Sequence, residues 1–162
     1  MKKNVLITGA TGGIGRSICK VFSKNYNIVL LGRDEKKLIS ICENSNSSLK
    51  YFKCDLNDFE DIKNTVEKIN EQFSSIDILV NNAGITNDNL FLRMNLDSWA
   101  SVINTNLNAN FYLTSLVIKK MVKNRWGRVI NITSVVGHTG NFGQSNYSAS
   151  KAGIIGMSKS LA

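Results

Sequence analysis

Short apolar runs rich in β-branched residues alternate along the chain with longer stretches in which apolar positions recur every three or four residues. The short runs predict buried strands, and the longer stretches predict amphipathic helices that turn one face towards a core. Ile62, Val66 and Ile69, for example, fall on one helical face. The predicted strands are residues 4–8, 28–31, 49–53, 76–80 and 128–133, and the predicted helices cover about 14–25, 34–42, 58–73, 97–122 and 145 onwards, with a Ser/Asn-rich loop at 44–48.

This alternation is typical of βαβ units, in which a helix crosses from one parallel strand to the next in a right-handed sense. We therefore expect an α/β fold of the Rossmann type, with a doubly wound parallel sheet. No repeat of solenoid length and no interdomain linker interrupts the pattern, so we expect residues 1–162 to form a single domain.

The first predicted turn has the sequence TGATGGIG, between a buried strand and an amphipathic helix. Glycine permits a positive φ and a close approach of the backbone to a pyrophosphate, and the first amides of the following helix attract its negative charge. Tight turns use glycine for other reasons too, but this context is the one that a dinucleotide site requires. The predicted phosphate loop consists of Gly9, Ala10, Thr11, Gly12, Gly13, Ile14 and Gly15.

The end of the second strand bears on the choice of dinucleotide. An enzyme that uses NAD usually has an acid there, which binds the ribose 2′-hydroxyl. Gly32 stands at that position here, and Arg33 can pair with a 2′-phosphate, so the sequence favours NADP(H). Asp34 is interpreted as the N-cap of the next helix, and a register shift of one residue would weaken the preference for NADP(H).

Candidate chemistry is concentrated near the start of the last helix. Tyr147 and Lys151 are four positions apart and project from one helical face. A nearby ammonium stabilises a phenolate, which brings a tyrosine towards general acid–base chemistry near neutral pH. Ser134 follows the fifth strand, where the carboxyl ends of parallel strands form a ligand crevice, and its hydroxyl can donate to a substrate carbonyl.

Taken together, these motifs make the chain resemble the short-chain dehydrogenase/reductase family over essentially its whole length. They occur in the family's order and on the expected elements. The matching segments are TGATGGIG at 8–15, Asn81-Asn82-Ala83-Gly84, Asn106 within INTNL, Ser134, and Tyr147-Ser148-Ala149-Ser150-Lys151.

The resemblance implies a role for each matching residue. Tyr147 would donate the proton in a reduction, Lys151 would hold the nicotinamide ribose and modulate Tyr147, and Ser134 would orient the substrate carbonyl. Asn106 would kink the long helix and hold a water that relays protons to Lys151, although a tolerated asparagine inside a helix is the alternative. The other implied cofactor contacts are Asp55 and Leu56 at the adenine, and Asn82, Ala83 and Gly84 along the dinucleotide.

Within the family, the loop sequences are most similar to those of reductases that act on 3-oxoacyl thioesters of acyl carrier protein in fatty-acid synthesis. The resemblance implies NADPH as the reductant and a carrier-protein thioester as the substrate. It also implies that Arg125 docks the acidic carrier protein, although a solvated surface arginine is the alternative. The other enzymatic interpretation is a ketoreductase for acetoacetyl-CoA, a steroid or a sugar.

The resemblance further implies the strand order 3-2-1-4-5, with the family's last strands missing after residue 162. We therefore expect the domain to be incomplete at its C-terminus and the isolated chain to be poorly soluble or inactive. The alternative to an active reductase is an inactive truncated fragment that only binds dinucleotide. Members of the family usually assemble as tetramers through the long helix and the last helix, so we expect a homotetramer for a complete protein.

Composition excludes several other classes. The net charge of +8 comes from residues spread along the chain without interleaved aromatics, which disfavours a nucleic-acid partner. No apolar run approaches the ~18 residues of a membrane span, and no signal sequence is evident, so we expect a cytoplasmic protein. Cys19, Cys42 and Cys54 are scattered, which is typical of reduced thiols. With His138 as the single histidine we expect no metal site, and we interpret it as a passive loop residue.

Overall fold

A five-stranded sheet forms the centre of the computed structural model, which describes residues 2–45 and 49–162. Residues 46–48 of the predicted loop at 44–48 therefore lie outside the described residues. The strand order is β3-β2-β1-β4-β5, and the paired registers of β1 with β2 and β4, and of β2 with β3, are parallel. The predicted α/β Rossmann-type fold and its strand order are confirmed. The strands are β1 (Asn4–Thr8), β2 (Asn27–Gly32), β3 (Leu49–Lys53), β4 (Ile78–Asn81) and β5 (Arg128–Asn131).

Strand β1 lies in the middle of the sheet and is buried along its whole length. Its neighbours pair with it on both sides, with Val5 opposite Ile28 of β2 and opposite Ile78 of β4. A parallel strand covered on both faces is expected to be apolar throughout, and this accounts for the unbroken run at residues 5–7. Strand β5 lies at one edge of the sheet and is more exposed.

Helices follow the strands as the apolar periodicity predicts. The interval predicted as one helix over 97–122 consists of two α-helices with a π-helical turn (Asn104–Asn108) between them. A short 3₁₀-helix at Phe91–Arg93 precedes them and was not predicted. The α-helices are α1 (Gly13–Phe22), α2 (Glu35–Glu43), α3 (Phe59–Gln72), α4 (Leu96–Ile103), α5 (Ala109–Lys123), α6 (Val136–Thr139) and α7 (Ser145–Leu161).

Two strand boundaries differ from the prediction by two residues, for reasons visible in the hydrogen bonds, and the others agree within one residue. Strand β4 begins at Ile78 rather than at residue 76, because Asp77 accepts a bond from the Asn4 backbone N–H at 2.8 Å and Ser75 is likewise engaged with Asn4. Strand β5 ends at Asn131 rather than at residue 133, where the Ile132 carbonyl accepts a bond from the Lys151 ammonium.

The described residues divide into two compact units. The first comprises Met1–Ala83 and Leu113–Ile130, and the second comprises Gly84–Tyr112 and Asn131–Ala162. Most buried side chains of the first unit are apolar, whereas the second buries the polar side chains of Asn106, Asn146, Ser150 and Lys151. The single domain expected over residues 1–162 stays a prediction. Within the described residues, no helix has the length and apolar character needed to cross a membrane.

Candidate functional site

The predicted phosphate loop, Gly9–Gly15, joins β1 to α1 in the first unit and needs glycine at two positions. Gly9 has a φ of 65°, and a Cβ there would lie 2.8 Å from the Ala83 Cα. A Cβ on Gly15 would meet the Gly9 carbonyl oxygen and lie 2.8 Å from the Ala10 Cα. Both positions bring backbone against backbone, so a side chain at either would force the loop apart.

The N-terminal end of α1 is open. Its N-cap, Gly12, provides no side-chain cap for the first-turn amides. A Cβ built on Gly13 would meet nothing within 4 Å, and Ile14 is exposed. Uncapped amides and the positive end of a helix favour a bound anion. The loop therefore fits the pyrophosphate of a dinucleotide, and a side chain at Gly13 would occupy the open space.

Asn82 and Ala83 hold the start of the phosphate loop. The Thr8 hydroxyl oxygen accepts bonds from the backbone N–H groups of Asn82 and Ala83, each at 3.0 Å. The Asn82 side-chain amide donates in turn to the carbonyls of Thr8 and Gly9, at 3.0 and 3.1 Å. The structure thus brings together the predicted cofactor residues that follow β1 and those that follow β4.

Arg33 and Asp34 follow β2 and differ in their contacts. Asp34 is the N-cap of α2: its carboxylate accepts a bond from the Lys37 backbone N–H at 3.1 Å and pairs with the Lys37 ammonium at 3.1 Å. These contacts, the backbone bond first, lower the pKa of Asp34. Arg33 is exposed, and its guanidinium makes no hydrogen bond or ion pair with the other described residues. Asp34 is therefore engaged as a cap, as the sequence predicts, while Arg33 remains available to a ligand.

Asp55 and Leu56, the predicted adenine contacts, follow β3 and are half-buried. One Asp55 carboxylate oxygen accepts a bond from the Asn57 backbone N–H at 3.0 Å, and the Asp55 backbone N–H donates to Asp61 at 2.7 Å. The turn after β3 is thereby held by carboxylates on both sides.

In the second unit, Lys151 is buried and reaches back from α7. Its ammonium donates to the Ile132 carbonyl at 2.7 Å and lies 5.6 Å from the centroid of the Tyr147 ring. Burial lowers the pKa of Lys151 below its ordinary value. A Cβ on Gly84 would lie 3.7 Å from the ammonium, so the backbone at Gly84 passes close to it.

Asn106 lies in the π-helical turn, and its side chain is fully engaged. Its Oδ1 accepts from the Ile85 N–H at 2.8 Å, and its Nδ2 donates to the Ile85 carbonyl at 3.0 Å and to the Ser150 hydroxyl at 3.1 Å. Ser150 donates to the Tyr147 carbonyl at 2.7 Å. A π-turn inside a helix often marks a functional position, which favours a role for Asn106 over a merely tolerated asparagine. Its predicted water relay stays a prediction.

Ser134 lies just after β5 and is half-buried. Its hydroxyl oxygen accepts a bond of 3.4 Å from the Val136 N–H, and its carbonyl accepts one from the Gly137 N–H at 3.0 Å. No hydrogen bond joins Ser134 to Tyr147 or Lys151 among the described residues. The predicted catalytic residues are thus connected in part: Ser150 links Asn106 to the Tyr147 backbone, the Lys151 ammonium lies beside the Tyr147 ring, and Ser134 bonds to neither.

Arg125, the predicted docking residue, lies two residues after the end of α5 and has a left-handed backbone conformation. Its φ is 51°, and among the described residues it is the only non-glycine with a positive φ. The Arg125 N–H bonds to the Val122 carbonyl and the Trp126 N–H to the Met121 carbonyl, which together form a Schellman cap. Glycine is the usual residue at this position of the cap, and an exposed arginine takes its place here.

Several residues that the network uses have no role predicted from the sequence. Asn146 and Ser150 are both fully buried and bond to the backbone of Tyr147. Ser150 lies in the quoted motif and Asn146 directly precedes it, but their other contacts are distant in sequence and no local pattern reports them. Gly137 was also missed: a Cβ there would lie 2.9 Å from the Lys151 carbonyl carbon. His138 lies in α6, exposed, rather than in a loop.

Two comparisons with known proteins agree on the class of protein. The family model described as short chain dehydrogenase matches residues 3–162. A protein of Rickettsia conorii named 3-oxoacyl-[acyl-carrier-protein] reductase FabG is 48% identical over 160 residues, which cover 98% of this chain and 65% of that protein. A Haemophilus influenzae protein of the same name is 45% identical, covering 99% of this chain and 66% of the relative. A Rhizobium protein named nodulation protein G is 47% identical with the same coverage.

The chain thus spans just under two thirds of the length of these relatives. The family match covers nearly every residue of the chain, including the phosphate loop, the π-turn and the first turns of α7. The chain belongs to the short chain dehydrogenase family.

Proposed function

We propose that this chain provides the cofactor loop and reaction residues of an NADPH-dependent reductase that converts 3-oxoacyl-[acyl-carrier-protein] to the 3-hydroxyacyl form. The observation that carries the proposal is the buried Lys151 ammonium, 5.6 Å from the Tyr147 ring, on a helix tied to the π-turn. The names of the similar proteins from Rickettsia and Haemophilus supply the substrate class.

The phosphate loop, with Asn82 and Ala83 behind it, would hold the pyrophosphate of the dinucleotide, because its helix end is uncapped and open. Arg33 would pair with a 2′-phosphate, because its guanidinium is free and Asp34 is engaged as a cap. When bound, NADPH supplies the hydride. Arg33→Ala is expected to raise the KM for NADPH by at least tenfold while leaving the KM for NADH nearly unchanged. Equal effects on both cofactors would remove Arg33 from the proposal.

In the proposed reaction, Tyr147 gives its phenolic proton to the carbonyl oxygen of the substrate as negative charge develops there. Ser134 donates a hydrogen bond to the same oxygen and orients it. Lys151 places a positive charge beside the resulting phenolate and thereby stabilises it. Because its ammonium has only the Ile132 carbonyl as a partner among the described residues, two of its protons are available for the nicotinamide ribose and for a water.

Asn106 would hold in place the backbone and the side chain that lie next to these reaction residues. Its side chain already binds both backbone groups of Ile85 and the Ser150 hydroxyl. Both donors of the side-chain amide are therefore in use, so a water at this position would have to donate to an acceptor: the second lone pair of Oδ1 or a backbone carbonyl of the π-turn.

Replacement of Tyr147 tests the proposal directly. Tyr147→Phe removes one hydroxyl and is expected to lower kcat for a 3-oxoacyl thioester by ~10²–10⁴-fold, while NADPH binding measured by fluorescence stays nearly unchanged. Tyr26→Phe is a matched control, because Tyr26 packs against Phe22 in the core of the first unit. Turnover by Tyr147→Phe at the level of the control would refute the proposed mechanism.

Arg125 is the proposed contact for the carrier protein. An exposed arginine held in a left-handed conformation is less stable than glycine there, and such strain is frequently retained for function. Arg125→Gly is therefore expected to raise the free energy of unfolding by about 1 kcal/mol and to raise the KM for a carrier-protein thioester but not for a CoA thioester. Equal effects of Arg125→Gly and Arg125→Glu on both thioesters would refute the docking role and favour a CoA-type ketoreductase.

A further inference from the structure

The side chain of Asn146, directly before Tyr147, is wholly enclosed, with 0% exposure. Its Nδ2 donates two hydrogen bonds, to the Asn87 carbonyl at 2.9 Å and to the Ser98 carbonyl at 3.1 Å. Its Oδ1 accepts one from the Tyr147 backbone N–H at 2.7 Å. Both donors and the acceptor of the carboxamide are therefore in use, and asparagine is the side chain of this length that offers two donors beside an acceptor.

These bonds attach the first turn of α7 to backbone that is distant in sequence. The N-cap of α7, Gln144, makes no side-chain cap bond, although the first-turn amides of a helix lack partners within the helix. Asn146 caps the Tyr147 N–H from inside the first turn and at the same time binds two carbonyls that are 59 and 48 residues away in sequence. The first turn is thus attached to the loop after β4 and to α4.

The peptide groups on either side of Tyr147 are held by different buried side chains. Asn146 accepts from its N–H, and Ser150 donates to its carbonyl at 2.7 Å. Lys151 is held separately, by the Ile132 carbonyl. The distance between the phenol and the ammonium therefore depends on where these anchors place the Tyr147 backbone, and a displacement of about 1 Å in a reacting group can cost a hundredfold in rate.

We infer that Asn146 is a positioning residue for Tyr147: its carboxamide fastens the first turn of α7 to the Asn87 and Ser98 carbonyls and thereby sets the phenol against the Lys151 ammonium for proton transfer. This inference rests on the proposed function. Asn146 touches neither substrate nor cofactor in it and acts only through Tyr147.

Two substitutions test the inference. Asn146→Asp keeps the shape and the acceptor for the Tyr147 N–H but removes both donors, and Asn146→Ser keeps only a shorter hydroxyl. Each is expected to lower kcat for a 3-oxoacyl thioester by about a hundredfold, while the KM and the NADPH dissociation constant change by less than about threefold.

Asn95→Ala provides the matched control. Asn95 is an exposed asparagine that caps α4 by accepting from the Ser98 N–H at 2.7 Å. Its loss is expected to lower the Tm without changing kcat or the KM. The same fall in kcat at an unchanged KM in Asn95→Ala would show that any loosening near Ser98 suffices, and would overturn the inference.

The remaining outcomes also decide whether Asn146 positions Tyr147. Folded Asn146 variants with native kcat would overturn the inference, as would loss of the fold in both variants, which would assign Asn146 to stability alone. Tyr147→Phe separates this result from a failure of the proposed function. If Tyr147→Phe is inactive and the Asn146 variants are native, only the positioning role fails; if Tyr147→Phe is active, the proposed function fails as well.

Discussion

The two units bind and hold their functional groups by different means. In the first, the phosphate loop consists of backbone: Gly9 and Gly15 allow peptide groups to touch, and Thr8 with Asn82 supplies the few side-chain bonds. In the second, buried polar side chains hold the functional groups through hydrogen bonds. These side chains are Asn106, Asn146, Ser150 and Lys151, all at most 4% exposed. One region is specified by the absence of side chains and the other by buried polar side chains that bond to one another and to the backbone.

This difference predicts which substitutions each region tolerates. A backbone site resists added atoms, whereas a buried polar network resists the removal of any one partner, because the group left behind stays desolvated. The predictions below test this contrast from the largest expected effect to the smallest.

Gly15→Ala is expected to have the largest effect. The new Cβ would meet the Gly9 carbonyl oxygen and lie 2.8 Å from the Ala10 Cα, and neither backbone atom can move without opening the loop. We expect a loss of about 3 kcal/mol or more in the free energy of unfolding, measured in urea.

Gly13→Ala, two residues earlier in the same helix, is its control. Nothing lies within 4 Å of the new Cβ, so we expect a gain of about 0.5–1 kcal/mol from the better helix former. If the open space holds the pyrophosphate, the more stable variant binds NADPH more weakly. Equal losses of stability at both positions would contradict the contrast between filled and open space.

Ser150→Ala tests the polar network. It leaves the Asn106 Nδ2 with one partner fewer and the Tyr147 carbonyl without its side-chain donor, both in buried surroundings. We expect a loss of about 1–3 kcal/mol. Ser160→Ala in the same helix removes an exposed hydroxyl that bonds to the Gly156 carbonyl, and we expect almost no change in its urea midpoint. Similar midpoints for the two variants would show that the network adds nothing to the free energy of unfolding.

Ser148→Ala tests the converse case. The Ser148 hydroxyl oxygen is the one buried side-chain polar atom without a partner among the described residues. Removing it leaves no other group unpaired, so we expect stability to stay level or rise by up to about 1 kcal/mol, seen as an unchanged or higher Tm. A clear loss would mean that the hydroxyl has a partner.

The smallest effect concerns the pH dependence of stability. Burial lowers the pKa of Lys151 below its ordinary 10.5, so between the folded and unfolded pKa values the unfolded chain binds more protons. The cost of burying the ammonium is present below that interval and is relieved as the pH rises through it. Relative to Lys151→Met, which cannot titrate, the native chain is expected to gain stability as the pH rises through the alkaline range towards 10.5. A constant difference in urea titrations would contradict this.

Much of the first unit could be predicted from the sequence, because its determinants are local. The apolar run at residues 5–7 reports a doubly covered strand, and Asp34 lies next to the helix it caps. The π-turn at Asn106 and the anchors at Asn146 and Ser150 could not be predicted from local pattern, because their partners are 21 to 59 residues away. The motifs identified Tyr147 and Lys151, but only the fold shows what holds them.

The distant partners of α7 have a consequence for the order of events on the ribosome. All four strands from β1 to β4 have been synthesised by residue 81, so much of the first unit can begin to form early. Residues 87, 98 and 106 must wait for 146 and 150, which at about 5–20 residues per second is an interval of several seconds. During that interval the segment from Gly84 to Tyr112 lacks its polar anchors, so we expect it to become ordered only after the first turns of α7 have been synthesised.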